Sequence, residues 1–230
     1  MKKIAVVLLM GLIALSSCES NNFNKGNLLV KGQVKGLRLG HLLLKQIKKD
    51  HFVTIDSLYM DGNEFFEFHP LIDQPQIILL ELPEVKDGRI LFFAAPGDTI
   101  RIFTYVESFG ISPKIKGGVN QNKRNEYDKM IKQFNNKELD LIKEQLEAAK
   151  AGYNRIADSL KNKLQNLQKK RKLYALNFIF NNKDKAIGPY IAMMEFYDNP
   201  KVLDTVYKVL TGENKQSVYG KEIKKILSNK

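Results

Sequence analysis

Hydrophobic and polar residues alternate from Asn27 to about Lys116. In the run LLVKGQVK, Leu28, Val30 and Val34 fall on one face, and Lys31, Gln33 and Lys35 fall on the other. A period of two predicts a strand with one buried face. Further strand candidates are His41–Ile47, Phe52–Met60, Glu64–His69, Gln76–Leu82, Arg89–Ala95, Thr99–Val106 and Ile111–Lys116. Turn signals separate them: Asp61-Gly62, Asp87-Gly88 and Gly97-Asp98. Such pairs suit tight hairpins, whose central residues need positive φ. Short strands joined by short connections predict an antiparallel β-sandwich or partly open barrel over residues 27–118.

At Gly117-Gly118 the period changes to that of a helix. Tyr127, Met130, Ile131 and Phe134 make one apolar stripe, and Asn135-Asn136 predicts a break after it. Leu139, Ile142, Leu146, Ala149, Tyr153, Ile156 and Leu160 then follow at spacings of 3, 4, 3, 4, 3 and 4. That is a heptad seam. It suits a partner chain or the protein's own helices, and at this length packing within the chain is favoured. Gly152 lies inside the run and predicts a bend there. Further helices are predicted at Leu173–Phe180, Pro189–Tyr197, Lys201–Leu210 and Ser217–Leu227. The fold class is therefore α+β: a β domain over 27–118, then an α-helical region over 119–230 with one long helix.

The start of the chain carries a different signal. Lys2 and Lys3 precede Ile4 to Leu15, twelve residues that are apolar or Gly. A basic segment followed by an apolar run of about 7–15 residues is the pattern of a secretory leader. A spanning helix needs about 20. The run ends in Leu15, Ser16, Ser17 and Cys18, which resembles the bacterial lipobox. Leu15, Ser16 and Ser17 would form the cleavage site over a leader of residues 1–17. Cys18 would carry the diacylglycerol and a palmitate-type acyl chain, with residues 18–26 as anchor and polar tether. Cys18 is the chain's one cysteine. Lipidation leaves no thiol, and a CxxC redox pair or Cys-rich zinc site is excluded.

Composition adds a bias of charge. The 230 residues carry a net charge of +12. Residues 19–118 hold 12 basic and 12 acidic side chains, whereas residues 119–230 hold 23 basic and 13 acidic. The excess is densest around Lys169, Lys170, Arg171 and Lys172. That run is a candidate contact for an anionic glycan or lipid. Nucleic acid is not an expected partner, because no aromatic platform or binding motif accompanies the run and an exported protein seldom meets it. His41, His51 and His69 show no ligand spacing, so no metal is expected. Asp56, Asp61, Glu64 and Glu67 are assigned to turns and strand exteriors. No phosphate-cradling glycine loop and no nucleophile elbow is present, and no cofactor is expected.

The order of these pieces resembles envelope lipoproteins in which an N-terminal domain of unknown function precedes a thioredoxin-like (AhpC/TSA, TlpA/ResA-type) domain. The matching stretches are LLVKGQVKGL at Leu28–Leu37, DSLYMDGNEFFEF at Asp56–Phe68, LFFAAPGDTIRI at Leu91–Ile102 and IKGGVNQNKRNEYDKM at Ile115–Met130. FIFNNKDKAIGPYIAMM at Phe178–Met194 and VYGKEIKKIL at Val218–Leu227 extend it. The sequence reaches Lys230 without the redox domain and without CxxC, so the redox activity implied by the resemblance does not carry over. Export, anchoring, a β domain and a helical extension do.

The expected role is that of a non-enzymatic binding or spacer module in the envelope of a Gram-negative bacterium, lipid-anchored in the outer membrane and facing the periplasm. Its expected partners are the membrane, through the N-terminal lipid, and an envelope protein. The alternatives are a binder of anionic glycan or lipid, and an accessory subunit of a separate thiol–disulfide oxidoreductase.

Overall fold

A computed structural model describes residues 26–48 and 51–229. The leader, Cys18 and most of the tether lie outside the described residues. Eight strands come first: β1 Leu29–Lys35, β2 Leu39–Lys48, β3 His51–Asp61, β4 Phe65–Phe68, β5 Gln76–Glu81, β6 Arg89–Ala94, β7 Thr99–Tyr105 and β8 Lys114–Lys116. Six helices follow: α1 Val119–Lys150, α2 Asn154–Asn181, α3 Ile187–Phe196, α4 Pro200–Val209, α5 Gly212–Gln216 and α6 Val218–Ser228. The α+β reading therefore holds, with two unclosed sheets followed by helices.

The strands form two four-stranded sheets, ordered β4-β1-β7-β8 and β3-β2-β5-β6. All pairings are antiparallel except β1 with β7, which run parallel from Leu29 opposite Thr99 to Lys35 opposite Tyr105. The alternation read from β1 places Val30 and Val34 between the sheets, where both are fully buried, with Leu42, Ile78, Phe92 and Ile100. Strand β8 is shorter than the predicted Ile111–Lys116. Pro113 cannot donate to a ladder, and Phe109–Ile111 turn instead before the strand begins.

Strand β5 lacks alternation because both of its faces are covered. Ile78 faces the sandwich core, while Ile77 faces the helices. Phe93 of β6 does the same on the outer face, so a second core forms there with Ile179, Ile187, Ala192, Leu203, Val206 and Ile223. Helix α3 is apolar around most of its circumference and sits at the centre of that layer. Asn199, Thr211 and Ser217 cap the starts of α4, α5 and α6 through their side chains, as these residue types do at helix starts.

Two helix predictions need correction. Helix α1 runs unbroken from Val119 to Lys150 through Asn135-Asn136, because an exposed Asn costs only a few tenths of a kcal/mol within an intact helix. The chain breaks at Gly152 (φ +76°) instead. Helix α1, with 32 residues, is the expected long helix, and α2 returns along it, so the periodic run from Leu139 to Leu160 folds back at Gly152 as an antiparallel hairpin. Of the predicted seam, Leu160 alone is packed between the helices. Leu141, Ala148 and Leu160 are buried between the helices, whereas Leu139, Ile142, Leu146, Tyr153 and Ile156 are 44–65% exposed.

Candidate binding face on the open sheet

Among the described residues, no helix packs across the outward face of the β4-β1-β7-β8 sheet. Alternation that buries Val30, Val34, Ile100 and Ile102 sends Lys31, Gln33, Arg101 and Phe103 to this face. The register then sets them in rows across the sheet. One row reads Phe65, Gln33, Phe103 and Lys114; the next reads Glu67, Lys31, Arg101 and Lys116. Lys35 and Tyr105 begin a third. Neighbouring strands are about 4.8 Å apart, so Phe65 and Phe103 stand about 10 Å from each other across Gln33. The residues of the first two rows line an open groove of about 630 Å³.

The rings and charges are arranged for contact. Phe65 is 62% exposed. Phe103 meets Tyr105 edge-on, with ring centres 5.3 Å apart, and Lys35 Nζ lies 5.7 Å from the centre of the Tyr105 ring. Glu67 pairs with the His69 ring at 2.7 Å and not with a lysine of the face. Lys31, Arg101, Lys114 and Lys116 take part in none of the ion pairs among the described residues. Four cations thus border a floor of aromatic carbon and one amide. Gln33 Nε2 donates to Glu64 at 2.9 Å, and Gly36 N–H donates to the other Glu64 oxygen at 2.7 Å. These two bonds, the Gly36 one foremost, hold the Glu64 carboxyl below its ordinary range. They also anchor the Gln33 side chain at the edge of the groove.

The structure distributes the sequence-derived candidates differently. Of the basic run, Lys169, Lys170 and Lys172 are exposed, but Arg171 is partly buried and donates to Glu195 at 2.9 Å. Arg171 is thus held against the helical layer, and the three lysines face solvent. Leu15, Ser16, Ser17 and Cys18 lie outside the described residues. His41 pairs with Glu84 at 2.9 Å and lies far along the chain from His69 and its Glu67 partner. Asp56 accepts from the Ser57 N–H at 2.8 Å, a local contact beside the irregularity in the β2–β3 pairing. No group of three or more His, Cys, Asp and Glu residues among those described is placed to hold a metal ion.

This candidate face escaped the sequence because its members come from four strands. Lys31, Gln33 and Lys35 were legible as one polar face, yet nothing in the order of residues says that β1 lies between β4 and β7. The available signal was an aromatic at an outward position, Phe65 in FFEF and Phe103 in TIRIFTY, where a polar residue is usual.

No curated protein and no solved structure matches the chain. Residues 28–123, which run from the start of β1 into α1 and contain every residue of the candidate face, match the family described as Domain of unknown function (DUF4369).

Proposed function

We propose that this chain is a lipid-anchored, non-catalytic protein of the cell envelope whose open sheet face holds an anionic saccharide. The observation that carries the reading is the pair of rows in which Phe65, Gln33 and Phe103 lie beside Lys31, Arg101 and Lys116. Sugar rings offer flat C–H faces that pack on aromatic carbon, and their hydroxyls suit an amide such as Gln33. Carboxylate, sulfate or phosphate groups on the sugar meet the cations in charge-assisted hydrogen bonds of about 1.5–3 kcal/mol each. Catalysis asks for a different set: a nucleophile or acid–base pair in a closed cleft, whereas this groove is shallow and its one carboxylate is Glu67.

The envelope location rests on the leader and lipobox at Lys2–Cys18 and on the resemblance to thioredoxin-associated lipoproteins. Acylation of Cys18 would tie the chain to a membrane. It would also take up the one thiol, leaving recognition and spacing as its contribution beside any redox enzyme. An aromatic-plus-cation sheet also suits single-stranded nucleic acid, and export is what favours the saccharide.

Calorimetric titration of the lipid-anchored protein in detergent tests this reading. The probes are an oligogalacturonate, a neutral dextran oligomer, a short oligonucleotide and phosphatidylglycerol vesicles. The oligogalacturonate is expected to bind, more weakly as salt rises. Arg101→Glu with Lys116→Glu should weaken it at least tenfold and Phe103→Ala severalfold, while neutralising Lys169, Lys170 and Lys172 should leave it unchanged. Tighter binding of the oligonucleotide or vesicles, or no response to the sheet variants, overturns it. Mass spectrometry of the mature N-terminus is expected to find a diacylglyceryl Cys18; a free thiol there removes the anchor.

A further inference from the structure

We infer that the α1–α2 hairpin joins a second copy of this chain, through parallel pairing of the two α1 helices along Leu139, Ile142, Leu146 and Ala149. Leu139 is 65% exposed, Ile142 44% and Leu146 54%. Helix α2 does not cover them, because the contact between α1 and α2 runs through Leu141 and Ala148. Residues 139, 142, 146 and 149 repeat at 3, 4 and 3, which aligns them on one stripe of the helix. The spacing is that of the core positions of a coiled coil, with Leu139 and Leu146 at a and Ile142 and Ala149 at d.

The charges beside the stripe select the occupant and its direction. Glu138 and Gln145 precede the a residues and occupy g; Lys143 and Lys150 follow the d residues and occupy e. In a parallel pair each g residue meets the e residue five positions on in the other helix. Glu138 then faces Lys143 of the second copy, and Gln145 faces its Lys150. An antiparallel pair sets e against e, which brings Lys143 and Lys150 together and is disfavoured. Neither lysine takes part in an ion pair within the described residues. Glu138 uses Oε1 to accept from Gln168 at 2.9 Å, and its other oxygen is available. The charge pattern of this stripe is therefore complementary to itself. The seam covers about three turns, which is short for free peptides, but here α1 is already folded against α2. The cost of helix nucleation has been met within each chain. A two-fold axis along the helices also points both arms the same way. This pairing does not depend on what the sheet face binds.

Cysteine cross-linking of the full chain in envelope membranes tests the inference, with the unmodified chain measuring any background from Cys18. In a parallel pair the two d residues face each other across the axis at disulfide range. Ile142→Cys is expected to give a homodimer on mild oxidation. Ser159→Cys, on α2 and away from the stripe, should give at least fivefold less. Glu138→Lys and Lys143→Glu should each reduce the Ile142→Cys dimer severalfold, and the two together should restore it, since the exchange reforms the pair. All these positions are at the helix surface, and circular dichroism checks that the helices persist. No dimer through residue 142, equal cross-linking at 159, cross-linking of 142 to a different protein, or a double exchange no better than the single ones each overturns the proposal.

Discussion

The Tyr219 hydroxyl does a backbone's work. It accepts a hydrogen bond from the Ile77 N–H at 2.8 Å, a donor on β5 that lies beyond the last β2 partner of that strand, Gln46 opposite Ile78. Burial pushes the Tyr219 phenol well above its ordinary range, so it stays neutral and keeps its proton. Gln121 plays the same part at β6, where its side-chain oxygen accepts from the Phe93 N–H at 2.6 Å, and Arg124 donates to the Leu91 carbonyl at 3.0 Å. The sheet edge next to the helices is thereby satisfied by side chains from α1 and α6. Replacing Tyr219 by Phe keeps the ring and removes the acceptor. The expected cost is about 1–3 kcal/mol, the penalty for a buried unpaired donor. A urea unfolding curve reads it as a lower midpoint with an unchanged slope, and an unchanged midpoint would mean that water replaces the hydroxyl.

Turns decide the elements more than helix formers do. Gly152 holds φ +76°, and a methyl group on its Cα would find nothing within 4 Å. An Ala there suffers only the backbone strain of the left-handed region, about 1–2 kcal/mol. Gly117 combines φ +104° with a Cβ position that overlaps the Thr99 carbonyl oxygen, so Ala cannot be placed without moving β7 or the start of α1. Thermal denaturation should show Gly117→Ala lowering the midpoint several times more than Gly152→Ala. Equal effects would mean that the chain between β8 and α1 yields easily. Both glycines are conspicuous in the sequence, and the pair at 117–118 marks the change from strand to helix in sequence and structure alike. The Asn pair at 135–136 suggests a turn because Asn is common in turns, but no residue there needs positive φ.

Across the whole molecule the two cores are joined by one sheet. Ile77 and Phe93 project from the outer face of β5 and β6 into the helical layer, and Phe93 is fully buried beside Tyr190 and Tyr219. The sandwich therefore relies on the helices to cover its second face. Phe93→Ala is expected to cost about 3–5 kcal/mol. Calorimetry of the intact chain should show one transition, and a fragment ending at residue 118 should unfold below it or aggregate, with Ile77 and Phe93 bare. Two separate transitions, with a fragment as stable as the whole, would contradict this.

Period and punctuation were local properties, and the sequence alone determined them. Alternation marked the strands, a 3.6-residue repeat marked the helices, and Gly117-Gly118 marked the passage between them. Each depends on neighbours a few residues away. The tertiary structure decided which strands lie side by side, and so assembled Phe65, Lys31, Arg101 and Lys116 into one face. It also decided which of two apolar stripes on α1 would be buried. Leu139 and Leu141 are similar in chemistry, and only the direction in which α2 returns from Gly152 gives one a partner within the chain and leaves the other outside the chain's own core. Strand order and helix return are set by packing between residues distant along the chain, a long-range balance to which local periodicity is blind.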